Sequence, residues 1–287
     1  MARSARAPSW TIGGLTAIIL LLAGCRGHPS GIEPQPGPVQ GLPAAEADAR
    51  AEAVRRDPAG YLQRVAYKCQ GLGQCTLVFT RYERRGLFQQ LYGPEHMRCW
   101  FRRRPFSVRM QWLDKDSKYL EMAYVGGQYD NKVRFVTRRW SPGLLPPPGA
   151  NEVDLLAPVR WGESKQALTD FGLERLMERT LDSFRSAGRD VLLTYEGLRQ
   201  LPAGGPTVHH LHLEYPATRY KVPVQELYVD VATDLPAGTL LKRASGQLDA
   251  GYFYTDIDTN VRLTDADFLL EAERGGIAKP RAAVQKR

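Results

Sequence analysis

Residues 75–82 read CTLVFTRY, and in them Cys75, Leu77 and Phe79 alternate with Thr76, Val78 and Thr80. A period of two belongs to a strand with one buried face, because successive side chains leave opposite sides of a pleated backbone. The neighbouring stretches repeat the pattern. EHMRCWFRR at 95–103 sets Met97, Cys99 and Phe101 against His96, Arg98 and Arg102. FSVRMQW at 106–112 sets Phe106, Val108, Met110 and Trp112 against Ser107, Arg109 and Gln111. In KYLEMAYV at 118–125, Leu120, Met122 and Tyr124 share a face, and Gly126-Gly127 and Asp130-Asn131 punctuate a turn before Val133–Thr137. These stretches predict a meander of antiparallel strands with one apolar and one polar face.

Upstream, Asp57-Pro58 reads as an N-cap followed by proline at the first helical position, and Leu62, Val65, Ala66 and Cys69 then fall on one helical face. Downstream, a Pro-rich segment (SPGLLPPPG, 141–149) precedes a helix expected to start near Thr169-Asp170. Its residues Leu173, Leu176, Met177, Leu181 and Phe184 keep helical spacing. Further strands are expected over 190–196, 207–215, 222–231, 239–246 and 250–258, about ten in all with two main helices. A one-sided sheet of that size must curl or be covered. The expected fold is mainly β (α+β): a strongly curved antiparallel sheet forming an incomplete β-barrel, with helices covering the open side.

The first 24 residues have the three parts of a signal peptide. Arg3 and Arg6 make the basic start, and WTIGGLTAIILLL from Trp10 to Leu22 is an apolar run of 13 residues, short of the ~20 needed to span a bilayer. Leu22-Ala23-Gly24-Cys25 then matches a lipobox, whose cysteine thiol takes a diacylglyceryl group. Cleavage before Cys25 predicts a lipid-anchored envelope protein. Arg26 stands where aspartate would favour retention at the inner membrane, which points to the periplasmic side of the outer membrane. Residues 25–44 read as a Pro/Gly-rich tether, 45–272 as one domain and 273–287 as a basic disordered tail.

The chain carries 39 Lys+Arg against 31 Asp+Glu, net +8, and loss of Arg3 and Arg6 leaves +6 on the mature side chains. Arg84-Arg85, Arg102-Arg103-Arg104 and Arg138-Arg139 fall at expected strand ends, as solubilising edges or as attraction to anionic headgroups. Secretion removes nucleic acid as a partner. Cys69, Cys75 and Cys99 remain after lipidation, in a compartment that permits disulfides. Three arrangements are open: a 75–99 bridge if those strands form a hairpin turning near Gly86-Leu87, a 69–75 bridge across the Gly71–Gly73 loop, or buried free thiols.

The apolar strand face holds Phe79, Met97, Phe101, Val108, Met110, Trp112, Met122 and Tyr124. It fits either a filled core or a cavity lining for acyl chains, in which flexible methionine suits a variable ligand. The helix with Leu173 to Phe184 is the expected lid. His210, His212 and Glu214 would share a strand face in the manner of a zinc site, but Leu211 and Leu213 on the other face assign the histidines to solvent. No metal or cofactor is expected. Asp256, Asp258, Asp265 and Asp267 lack calcium-loop spacing, and Thr264-Asp265 reads as a helix cap. No nucleophile triad or phosphate loop stands out, so catalysis is not expected.

Several short motifs resemble the domain of unknown function 1571 family: Cys75-Thr76-Leu77-Val78 with Glu83, then Pro105-Phe106-Ser107-Val108. Leu168-Thr169-Asp170-Phe171-Gly172-Leu173 and Leu263-Thr264-Asp265-Ala266-Asp267-Phe268 resemble its later motifs, and Glu121 with Tyr124-Val125 also fits, with Tyr119 where glycine is expected. The resemblance covers roughly 57–270. That family is similar to the lipoprotein carrier and receptor proteins LolA and LolB, which implies an incomplete barrel with a helical lid over a hydrophobic cavity. The implied function is binding of acyl chains or lipoproteins. The alternative is a structural or sensing lipoprotein that contacts another envelope protein.

Overall fold

The computed structural model describes residues 36–37, 44–86, 88–138 and 149–274. The signal segment with Cys25, nearly all of the tether and Pro-rich segment, Leu87 and residues 275–287 lie outside the described residues. Strands β1 (Gln74–Arg85), β2 (Gln90–Arg102), β3 (Ser107–Trp112), β4 (Tyr119–Val125), β5 (Lys132–Thr137) and β6 (Gly149–Asp154) form one meander. Strands β7 (Leu192–Gln200), β8 (Thr207–Glu214), β9 (Val224–Asp230), β10 (Pro236–Lys242) and β11 (Leu248–Asp258) form a second. β11 pairs antiparallel with β1, which joins them into an 11-stranded sheet ordered β6-β5-β4-β3-β2-β1-β11-β10-β9-β8-β7. β6 and β7 are its two ends, so the curved sheet is not closed, and the incomplete barrel expected from alternation is the observed architecture.

Helices α1 (Ala44–Arg56), α2 (Pro58–Gln70) and α4 (Leu173–Ala187) accompany the sheet, with single turns α3 (Ala157–Arg160) and α5 (Glu271–Arg274). Asp57 caps α2 as expected, its Oδ1 accepting from the Gly60 N–H at 2.8 Å. Tyr61, Leu62, Val65, Ala66 and Cys69 are the buried stripe of α2. α4 starts three residues later than Asp170, because Gly172 turns the chain at φ 119 with Phe101 only 3.3 Å from where a Cβ would stand. Besides the single turns α3 and α5, two elements went unforeseen. α1 is an alanine-rich helix without a strong apolar stripe, and β6 follows directly on the Pro-rich segment.

The main core joins the stripes of α2 and α4 to the inward residues of the strands. Both faces of the sheet are buried in places, however. A second cluster on the outer face holds Val208, Tyr228, Leu240 and Phe253. Gly238 pairs with both Tyr228 and Phe253, whose rings close over it with centroids 6.3 Å apart. A Cβ at Gly238 would meet the Phe253 ring at 2.5 Å. On the outer face of β1–β5 lies the segment 259–274. Phe268 and Leu270 bury there, the Arg109 guanidinium donates to Glu121 (3.0 Å), and Arg134 donates to the Phe268 carbonyl (3.0 Å) and pairs with Glu273. Thr264 and Asp267 form a reciprocal cap on the short turn Asp265–Phe268. The family-like motif at 263–268 is thus a clasp.

The β1–β2 register differs from the expected facing of Cys75 and Cys99. Cys75 pairs with Phe101, and Leu77 with Cys99. A bulge between Arg81 and Glu83 and a turn over 86–89, with Gly86 and Gln89 in left-handed conformation, move the pairing by two residues. All three thiols are free and buried. Burial pushes Cys69 and Cys75 up to about 12 and Cys99 upward as well.

Candidate functional site

The inward face of β11, β1, β2 and β3 places Tyr254, Phe79, Met97 and Trp112 in one cross-strand row. A second row, Met110, Met122 and Phe135, crosses β3, β4 and β5. These rows floor a cavity of about 120 Å³, with Val133, Val153 and Tyr252 on its walls. Its roof is a strap, residues 155–172, which runs from the end of β6 through α3 to the start of α4. Pro158, Trp161, Leu168 and Phe171 face the cavity from the strap, and the Phe171 ring meets Phe79 edge-on at 5.2 Å.

The candidates read from the sequence divide. Phe79, Met97, Met110, Trp112 and Met122 line the cavity, whereas Phe101, Val108 and Tyr124 do not. They lie further along the strands; Phe101 packs on Phe106 and Phe171. The helical set does not line it either. Leu173, Leu176, Met177 and Leu181 are buried in the core with α2, and Phe184 packs on that core half-buried. α4 is therefore a wall of the core, and the strap before it covers the cavity. The apolar stripe alone does not separate the two arrangements, because a stripe facing a helix looks like one facing a void. Phe135, Tyr252 and Tyr254 were legible as inward positions of expected strands, whereas the strap had no periodicity to reveal it.

One wall is polar. Continuing the alternation of β1 puts Arg81 and Glu83 inward. Glu83 is 1% exposed, accepts from the Tyr252 hydroxyl at 2.8 Å and receives the backbone N–H of Lys165 at 3.4 Å. Arg81 and Arg85 both pair with Glu95, at 2.7 and 3.1 Å. Burial pushes the Glu95 carboxyl up, but the two guanidinium charges outweigh it and hold the group below its usual range. The strap is latched at Glu163: Lys118 pairs with its carboxylate at 2.7 Å, Tyr119 donates to it, and Arg85 donates to its backbone carbonyl at 2.7 Å. Lys165 pairs with Asp249 at 2.5 Å. Tyr119, the departure from the family pattern, thus serves the latch. These charges meet each other and fasten the strap.

The histidines fall elsewhere. His209 shares the inward face with Leu211 and Leu213; the Tyr61 ring packs on it edge-on at 5.2 Å, and the Tyr195 hydroxyl lies 2.9 Å from its Nδ1. His210 and His212 point outward, but to Glu226 at 2.8 and 3.1 Å, not to Glu214, and both are largely covered. Assignment of the run to solvent is corrected on these two counts. Among the described residues no cluster of His, Cys, Asp or Glu could hold a metal ion.

A family model described as "Protein of unknown function (DUF1571)" matches residues 74–274. The chain belongs to the DUF1571 family. No curated protein sequence matches it. Among solved structures it is similar to MucB, at 18% identity and a TM-score of 0.47, over 76% of this chain and 64% of that one. The chain therefore spans less than two thirds of MucB. It is also similar to the Mycobacterium tuberculosis lipoprotein LppX, at 9% identity and TM-score 0.42, over 72% of this chain and 100% of that one. A LolA-superfamily protein from Nitrosomonas europaea gives 9% identity and TM-score 0.31, over 74% of this chain and 98% of that one.

Proposed function

We propose that this DUF1571 protein is a lipid-anchored envelope protein that takes an apolar chain, from a lipid or an acylated protein, beneath the 155–172 strap. The observation that carries this reading is the apolar floor left unfilled under a roof whose only regular structure is short helical turns. A void of about 120 Å³ compares with the ~150 Å³ that admits a benzene-sized molecule and falls below the ~300 Å³ at which ordinary ligand sites begin. A long acyl chain therefore needs the strap to lift. Gly162 at φ 70 and Gly172 at φ 119 supply points about which it can swing. Met97, Met110 and Met122 let the floor adapt to the chain that enters. The role is binding, with no reaction assigned.

Ligand that binds the folded state raises its melting temperature by mass action. Palmitate should therefore raise the melting temperature of the chain 26–287, and Met110→Trp, which fills the void, should abolish the rise while leaving the protein folded. No rise at saturating palmitate or with an acylated peptide would sink the reading. The anchor is tested separately. Lipid on Cys25, with residues 25–44 as tether, would hold the domain on the periplasmic side of the outer membrane, and Cys25→Ser should move the protein to the soluble fraction. Retention in a salt-washed membrane fraction would exclude lipid as the anchor.

A further inference from the structure

The hairpin tip joining β1 and β2 carries Phe88, 82% exposed. Exposure of a whole phenyl ring at a turn is costly in water and serves no packing. Two more apolar side chains stand at the same end of the sheet: Leu113, 46% exposed in the β3–β4 turn, and Trp161, 54% exposed on the strap. Contacts place them on one rim. Arg85, at the base of the hairpin, donates to the Glu163 carbonyl, and Lys118, at the end of the β3–β4 turn, pairs with the Glu163 carboxylate. On the other side of the hairpin, Arg243 of the β10–β11 turn donates to Gln89 at 2.8 Å.

Cations flank these side chains. Lys115 stands two residues after Leu113, between Asp114 and Asp116, Arg160 precedes Trp161, and the Arg138 N–H donates to the Lys118 carbonyl at 2.9 Å; all three cations are exposed. The run Arg102-Arg103-Arg104 lies at the opposite end and is largely consumed by the fold: Arg102 pairs with Asp265 at 2.7 Å, and Arg103 pairs with Glu174. Exposed aromatics beside exposed cations match the two parts of a bilayer surface, since rings settle at the headgroup level and cations meet anionic lipid. We propose that this rim docks on an anionic lipid bilayer, with Phe88, Trp161 and Leu113 entering the interface. Docking there sets the strap-covered mouth of the cavity against the membrane. It does not depend on the cavity holding a ligand.

Each cation near an anionic surface strengthens binding about fivefold, and an inserted phenyl ring adds at least about tenfold. The test uses the chain 26–287, which lacks the signal peptide and Cys25; both hydrophobic clusters lie wholly between Val54 and Tyr254, so the fold is retained. The protein is sedimented with vesicles of phosphatidylcholine, alone or with one third phosphatidylglycerol. We expect binding to the anionic vesicles that salt reverses. Phe88→Ser should weaken it about tenfold and leave the palmitate-induced melting shift unchanged. Lys115→Glu should weaken it too, whereas Arg104→Glu at the far end should not. Equal binding by the wild type and Phe88→Ser, equal loss from Lys115→Glu and Arg104→Glu, or no preference for phosphatidylglycerol would overturn the proposal. So would failure to bind either vesicle, even if the rim instead captured a protein. Loss of the palmitate shift alone would overturn only the cavity reading.

Discussion

The two halves of the sheet are roofed differently, and the difference accounts for where the molecule is solid and where it is hollow. Over β7–β9 the roof is helical: the apolar stripes of α2 and α4 share one core with Leu211, Leu213, Leu227 and Val229, all fully buried. Over β1–β6 the roof is the 155–172 strap, held by the Glu163 latch and by Phe171. A helix delivers a side chain to the sheet every three or four residues and can match a floor at close-packed density. An irregular strap delivers few, and a void remains beneath it.

Core truncations give the largest test of this contrast. Leu211→Ala, in the helix-roofed half, should cost about 2–5 kcal/mol because its neighbours cannot collapse into the space. Met122→Ala, beside an existing void, should cost less than about 2 kcal/mol, since fewer contacts are lost there. Denaturant titration measures both, and equal costs would erase the distinction between the halves. Next comes the latch. Glu163→Ala frees Lys118, Tyr119 and one end of the strap, with an expected loss of about 1 kcal/mol and faster uptake of a fluorescent fatty acid. Slower or unchanged uptake would mean that the strap does not gate the cavity.

A smaller effect follows from His209 in the solid half. Burial holds its imidazole down to about 4, although Asp234 favours the charged form. Between about pH 6.5 and 4 the unfolded chain binds a proton that the folded chain refuses, so stability falls as pH drops through that window. His209→Gln should flatten this slope, measured as denaturant midpoints across the window; an unchanged slope would assign acid sensitivity to the carboxylates. The smallest effect concerns the thiols. With burial pushing Cys69 and Cys75 up to about 12, native protein should resist alkylation at Cys69, Cys75 and Cys99, and all three should label after unfolding without reductant. A cross-linked 69–75 or 75–99 peptide would show instead that a bridge forms.

Strand number and phase were nearly all legible, because alternation along 75–125 and 207–258 is local and one face is consistently apolar. α1 was missed because alanine gives helix propensity without a stripe, and β6 because six residues beside prolines carry too little pattern. Of the apolar strand face, Phe79, Met97, Met110, Trp112 and Met122 border the void. Phe101, Val108 and Tyr124 lie away from it, because residues sharing a face need not share a position along the strand.

From sequence alone came the antiparallel meander, the incomplete barrel, the capped α2 helix, the stripe of α4 and the family, since each rests on local periodicity or on short motifs in order. Tertiary structure alone decided the pairing of β11 with β1, the two-residue shift between Cys75 and Cys99, the turning inward of His209 and the choice of strap over helix as roof. Those outcomes depend on bulges, turn geometry and long-range packing. The same apolar side chain satisfies a neighbouring helix or borders a void equally well, so its identity does not say which it will meet.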